Sequence, residues 1–260
     1  FTNDGLTVWD SYQNVVEDNT VNGKPLIYLE SVASYTVDGE PGQVILVNCD
    51  SIKVEHLNLS NTGTSVQLWQ TTNTIISGNN ITNNYYGIYL RDSSNNSITG
   101  NNVTANNWYG ICLDGSSNNS VSGNNIANNG DGICLDGSSN NSVSGNNITN
   151  NYRGIILEDS SNNNSISGNN ITNNRLVIMG QVFGGGIHLW TSSNSISGNN
   201  IANNDYGIRL WHSSNNTIYH NNFINNTHQT SSVNSLNIWD DGYPSGGNYW
   251  SDYVVTANDT

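Results

Sequence analysis

The residues that could do chemistry recur at a fixed step. Asp114, Asp136 and Glu158 stand 22 residues apart. Carboxylates in one column of successive repeats, about 5 Å apart, repel unless solvent or a cation separates them. Oxygen-only ligands select Ca²⁺ over a transition metal, so these three are the candidate metal site and Ca²⁺ its candidate ion. With Asp159 they could instead supply a carboxylate pair for glycoside cleavage. Arg153 is then the only nearby cation, and an acidic surface repels pectin-like substrates unless Ca²⁺ bridges them.

Trp9, Trp69, Trp190 and Trp211 occupy the same column as those acids. They read as a surface aromatic stripe that stacks on sugar rings or packs on a partner. Cys112 and Cys134 share one outward position in adjacent repeats, a candidate thiol pair, with a strained bridge, a shared soft metal and free surface thiols all open. Copper chemistry needs clustered His, Met or Cys. His188 and His212 are offset by two positions, His220 and His228 lie farther along, and there is one Met. No Ser/His/Asp triad and no phosphate-cradling Gly loop is visible.

What must position these residues is a repeat. Gly-Asn-Asn-(Ile/Val) recurs at Gly78, Gly100, Gly123, Gly145, Gly168 and Gly198, with a degenerate copy at His220. The step of 22–23 residues is stretched once, by an insertion at 175–183 that leaves the register intact. Aligned on this step, aliphatics form four columns beginning at Val44, Leu46, Val54 and Leu59, and within a coil they alternate with polar residues as in a half-buried strand. Four inward aliphatics cannot make a core alone, but stacked copies can. The fold class is therefore all-β, a right-handed parallel β-helix of about ten to eleven coils. The coils span 1–226, with Leu6–Asp10 and Val16 read as the first of them, and an aromatic, Gly-rich cap spans 227–260. Columns through Asn58, Asn80, Asn102, Asn125, Asn147, Asn170, Asn200 and Asn222, and through Ser93, Ser116, Ser138, Ser160, Ser192 and Ser213, are the expected inner ladders. Cys49 falls in the serine column as a small buried residue.

Composition agrees and excludes much. Only 34% of the 260 residues are hydrophobic and 10% charged, against about 45–50% and 25% in ordinary domains, while about one in five is Asn. Six basic against twenty acidic residues, a net charge of -14, exclude a nucleic-acid partner and attraction to an anionic membrane. No apolar run reaches the roughly 20 residues of a membrane span, so direct membrane insertion is not expected. The start at Phe1, without Met or a signal pattern, reads as a processed product or an excised piece. Sequons at Asn95, Asn118, Asn140, Asn163 and Asn215 share one outward turn column and are candidate glycosylation sites, whereas those at Asn80 and Asn147 fall in the inner ladder.

Asn22-Gly23-Lys24-Pro25-Leu26, Gly42–Cys49, the Gly-Ile-x-Leu-x-x-Ser-Ser-Asn-Asn-x-Ile repeats and the closing Gly-Tyr-Pro-Ser-Gly-Gly-Asn-Tyr-Trp-Ser-Asp-Tyr resemble the NosD-like parallel β-helix repeat proteins. The resemblance covers nearly the whole chain. It implies the fold and a surface or secreted protein of the methanogenic archaeal type. It also brings in a copper-handling accessory role, and the wider group brings in pectate lyases, polygalacturonases and structural surface proteins.

The uniform repeat and the lack of an irregular catalytic constellation favour a non-enzymatic extracellular structural protein. That would be a rod of an envelope, sheath, surface layer or filament, with self-association or other envelope proteins as partners and no certain cofactor beyond the candidate Ca²⁺. An unpaired N-terminal edge would serve assembly. The alternatives are a carbohydrate-binding protein or polysaccharide lyase or hydrolase, with glycans as partners, and a copper-handling accessory protein.

Overall fold

The computed structural model describes residues 1–242 and 244–253. Each coil supplies one strand of five or six residues and two of three, as in Tyr86–Arg91, Ser97–Thr99 and Asn102–Thr104. Equivalent strands of successive coils pair in parallel and in register. They form a long sheet of eleven strands and two sheets of nine, so the parallel β-solenoid has about nine turns rather than ten or eleven. The four aliphatic columns line its interior as one continuous cluster. A fully buried Ile or Leu contributes roughly 1.5–3 kcal/mol, so stacking stabilises coils that could not stand alone.

The corners explain the asparagines. At Gly78, Gly100, Gly123, Gly145, Gly168 and Gly198 the backbone turns through φ of +62 to +64°, a conformation glycine adopts without a Cβ penalty. The turn interrupts strand alternation, so the residue directly after each glycine points inward. The buried ladder is therefore Asn79, Asn101, Asn124, Asn146, Asn169, Asn199 and Asn221, one position before the expected column. Asn101 shows how its polar atoms are satisfied: Oδ1 accepts from the backbone N–H and Nδ2 of Asn79, while Nδ2 donates to Ile76 O and Asn124 Oδ1. Two further buried columns start at Asn84 and Asn96. The Asn80 column, sequons included, lies outside the core and forms an exposed ladder, Asn102 Nδ2 donating to Asn80 Oδ1 at 2.7 Å. In the serine column, Ser161 and Thr191 are the buried residues in place of Ser160 and Ser192, because turn length varies there. Cys49 does occupy that column, its N–H donating to Thr71 Oγ1.

The N-terminal residues are not a coil. They cross the outer face of the long sheet, held by two glutamine amides that imitate strand pairing: Gln43 bonds both N–H and C=O of Leu6, and Gln67 those of Val8. Leu6, Val8 and Val16 thus pack on Ile45, Val47 and Trp69. Thr20–Val21 then pairs antiparallel with Lys24 and Pro25 of the strand Lys24–Glu30, so the expected open edge is covered over its first residues. Backbone coiling also continues past 226. His228–Val233 is the last strand of the long sheet, Asn237 and Asn248 extend the ladders, and Trp250 stacks on Phe223 at 4.5 Å. Tyr243 and 254–260 of the expected cap lie outside the described residues.

Candidate functional site

The outer face of the long sheet has three sectors, set by what covers it. The first lies under the N-terminal segment. Trp69 is 1% exposed there, beneath Tyr12, which corrects its place in a surface stripe. Trp9, Trp190 and Trp211 are exposed, but Trp9 belongs to the covering segment, with Arg91 Cζ 4.8 Å from its ring centre.

The second sector is a small outer core of Tyr89, Cys112, Cys134 and Ile156 flanked by Tyr86 and Tyr109. Cys112 and Cys134 are register partners, both unbridged and both buried, not surface thiols, because the tyrosines cover them. The hydrogen bond to Cys134, then burial, push the Cys112 thiol well above its ordinary range, so it is protonated. Beside this core runs the acidic stripe. Asp114, Asp136 and Glu158 are register neighbours, but each turns to a different partner. Asp114 Oδ2 accepts from Tyr89 OH at 2.5 Å, Asp136 sits beside the carboxylate of Asp159, and Glu158 Oε1 lies 3.9 Å from Cys134 Sγ. Burial first, then neighbouring carboxylates, raise both Asp136 and Glu158. Among the described residues no three His, Cys, Asp or Glu are grouped so as to hold a metal ion. His188 stands alone at depth, and Met179 is wholly exposed on a hairpin tip.

The third sector is an apolar-walled groove of about 450 Å³. Its floor comes from outward positions of four consecutive strands: Asp131, Arg153, His188 and Arg209. Trp108 and Tyr152, exposed in the turns that lead into the sheet, form one lip, and Trp190 forms the other. The insertion is the overhanging wall. Val177–Ile178 pairs antiparallel with Gln181–Val182 about a Met179-Gly180 turn at φ +50 and +76°, the geometry of a two-residue hairpin. Leu176, Ile178 and Phe183 face the groove. Buried Asp205 anchors the hairpin base, accepting from Arg175 Nε at 2.9 Å and Leu176 N at 3.1 Å.

Charge in the groove is organised. Arg153 donates to both oxygens of Asp131, at 2.7 and 2.5 Å, a bidentate pair that fixes the guanidinium 5.8 Å from the Trp190 ring centre. Burial pushes the Asp131 carboxyl up, with Arg153 pulling against it. Arg209 lies 5.3 Å from the Tyr206 ring centre and has no carboxylate partner among the described residues. Burial, then the charges of Arg153 and Arg209, push His188 down to about 3, so it is neutral, and its buried Nε2 has no hydrogen-bond partner. Gly185 leaves room for that ring: a Cβ there would lie 2.6 Å from Nε2. The groove opens into a polar trough toward the N-terminus, sharing Asn107, Gly130 and Tyr152 with it and continuing past Asn83 to Asn61.

Sequence reasoning centred on the acidic stripe and missed this groove. The available signal was the insertion itself, whose apolar residues have no place in the coil pattern. The five sequon asparagines, Asn95, Asn118, Asn140, Asn163 and Asn215, are all exposed at left-handed corners of one turn column.

The chain matches the model of the right handed beta helix region over residues 43–201, and that of the periplasmic copper-binding protein NosD over residues 183–255. Among curated proteins no relative matches. Similar solved structures include a DFA-IIIase from Arthrobacter chlorophenolicus A6 in complex with DFA-III, 18% identical over 81% of this chain and 55% of that one, with a TM-score of 0.60. The same enzyme without its lid is 17% identical over 87% of this chain and 62% of its own, at 0.61. A periplasmic alginate epimerase is 17% identical over 71% and 61%, at 0.49. This chain thus spans little more than half the length of the first of them. These enzymes correct the expectation of a non-enzyme, because a solenoid shared with them is no argument against catalysis. No helix among the described residues is long and apolar enough to cross a membrane.

Proposed function

The chain belongs to the right-handed β-helix family, and from that premise we propose that it is a carbohydrate-active protein outside the cytoplasm, gripping a glycan in the groove beneath the 175–183 hairpin. One observation carries this reading: Trp108, Tyr152 and Trp190, all exposed, line the groove around a fixed Asp131–Arg153 pair. Apolar walls with a few convergent polar groups are the general form of a small-molecule site. Aromatic faces suit the C–H surfaces of a sugar ring, and Asp131 and Arg153 suit its hydroxyls. The trough running on to Asn61 offers hydrogen-bonding groups to further sugars of the same chain. The DFA-III-bound neighbour supports a saccharide ligand by analogy of fold.

A glycan array followed by calorimetry tests the reading. Binding to at least one oligosaccharide is expected. Trp190→Ala and Tyr152→Ala should each weaken it tenfold or more, about 1.4 kcal/mol, with the melting temperature unchanged. Chromatography of the incubated glycan then distinguishes cleavage or rearrangement from binding alone. An array without a hit, or affinity indifferent to both substitutions, overturns the proposal.

A further inference from the structure

The groove is electrically unfinished. Three of the six basic residues of a chain with net charge -14 meet here: Arg153, Arg175 and Arg209. Two are spoken for. Arg153 is neutralised by Asp131, and Arg175 by Asp205, both carboxylates being almost fully buried. Arg209 has neither compensation nor full solvent, since it is half-buried on the groove floor with the Tyr206 ring beside it. Asp131, Arg153 and Arg209 together leave a single positive charge within apolar walls.

A second, independent observation lies in the adjacent strand. His188 and Arg209 are register partners. The imidazole is 2% exposed, lines the same groove, and holds a buried nitrogen with nothing to bond. A buried polar atom without a partner is destabilising and rare in native proteins. An unmet charge and an unmet hydrogen-bonding atom on neighbouring strands describe a complement that is both anionic and polar.

Resting on the glycan reading above, we infer that the groove selects an acidic sugar: Arg209 takes its carboxylate in a charge-assisted contact, and His188 is the polar contact beside it. Guanidinium donors match a carboxylate in geometry as well as charge. The remaining surface, strongly acidic, would hold off other anions and leave this groove as the place where one is favoured.

The experiment is calorimetric titration of the intact chain with uronic acid oligosaccharides, each paired with its carboxyl-reduced neutral counterpart. At least one acidic oligomer should bind tenfold or more tightly than its neutral partner. Arg209→Gln should abolish that preference, and Arg209→Lys should restore part of it. His188→Phe should weaken acidic binding, with a cooperative melt showing that the solenoid is retained. A histidine with a merely structural role would instead leave acidic binding unchanged wherever the fold is retained. Equal affinity for acidic and neutral partners, or a preference that survives Arg209→Gln, overturns the acidic subsite and leaves the glycan reading standing. Absence of binding to any oligosaccharide sinks both.

Discussion

At the scale of single residues, the most consequential distinction is between two adjacent asparagines in every coil. Asn146 is sealed inside, accepting from the backbone and side chain of Asn124 and donating to Val121 O and Asn169 Oδ1. Asn147 stands outside in an exposed ladder. Asn146→Ala strands backbone groups that have no other partner and should cost about 2–4 kcal/mol, whereas Asn147→Ala should cost well under about 1 kcal/mol. Urea unfolding of the two variants checks this, and equal losses would refute the assignment of the inner ladder. The aliphatic columns were legible in the sequence because strand alternation holds between corners. The Asn ladder was misread by one place because alternation does not survive a left-handed corner, and the Gly-Asn-Asn pattern does not say which Asn follows the bend inward. Trp69 was misread for a different reason: what buries it, Tyr12 and the strap around it, is some sixty residues distant in sequence and carries no repeat signal.

At the scale of elements, the 175–183 hairpin is separable from the solenoid. Ladder bonds that bridge it, such as Asn169 Nδ2 to Asn199 Oδ1 at 2.9 Å across 30 residues, match those of coils that lack it, such as Asn124 Nδ2 to Asn146 Oδ1 at 2.9 Å. Its own strands pair only with each other. Replacing 176–183 with a short Gly-containing turn should therefore leave the melting temperature within a few degrees while abolishing ligand binding in the groove. A cooperative loss of the fold would show instead that the hairpin braces the coils around it. The N-terminal strap is the contrasting case. Its backbone is hydrogen-bonded to Gln43 and Gln67 and its side chains cover a part of the sheet that is otherwise apolar. Neither element follows from periodicity, which is blind to whatever lies outside the repeat, and the candidate site is built where one of them meets the sheet.

At the scale of the whole molecule, buried groups pull stability in two directions as pH falls. Burial and neighbouring carboxylates raise Asp136 and Glu158 above their ordinary values, and burial raises Asp131. A carboxyl raised on folding binds its proton more tightly in the folded chain. Its contribution is complete below the unfolded value and is lost as pH climbs through the folded one. A net charge of -14 repels itself in the same direction. His188, held down to about 3, instead supports the fold above the unfolded imidazole value and withdraws that support as pH falls below it. His188→Phe should therefore make the melting temperature rise more steeply from pH 7.5 to pH 5 than in the parent. Asp136→Asn should flatten that slope and raise stability at pH 7.5 by roughly 0.5 kcal/mol, given its partial exposure. A melting temperature that falls over the same interval in the His188→Phe variant would contradict the burial of these carboxyls.

The hairpin's indifference to register has a consequence for descent. A fold whose coils keep step across an eight-residue excursion can acquire, lengthen or lose such excursions at a turn without renegotiating its core. Recognition can then diversify by insertion while the scaffold is inherited unchanged. Relatives with equally uniform coils would be expected to differ in which turn is interrupted, and the interrupted turn is where their ligands should first be sought.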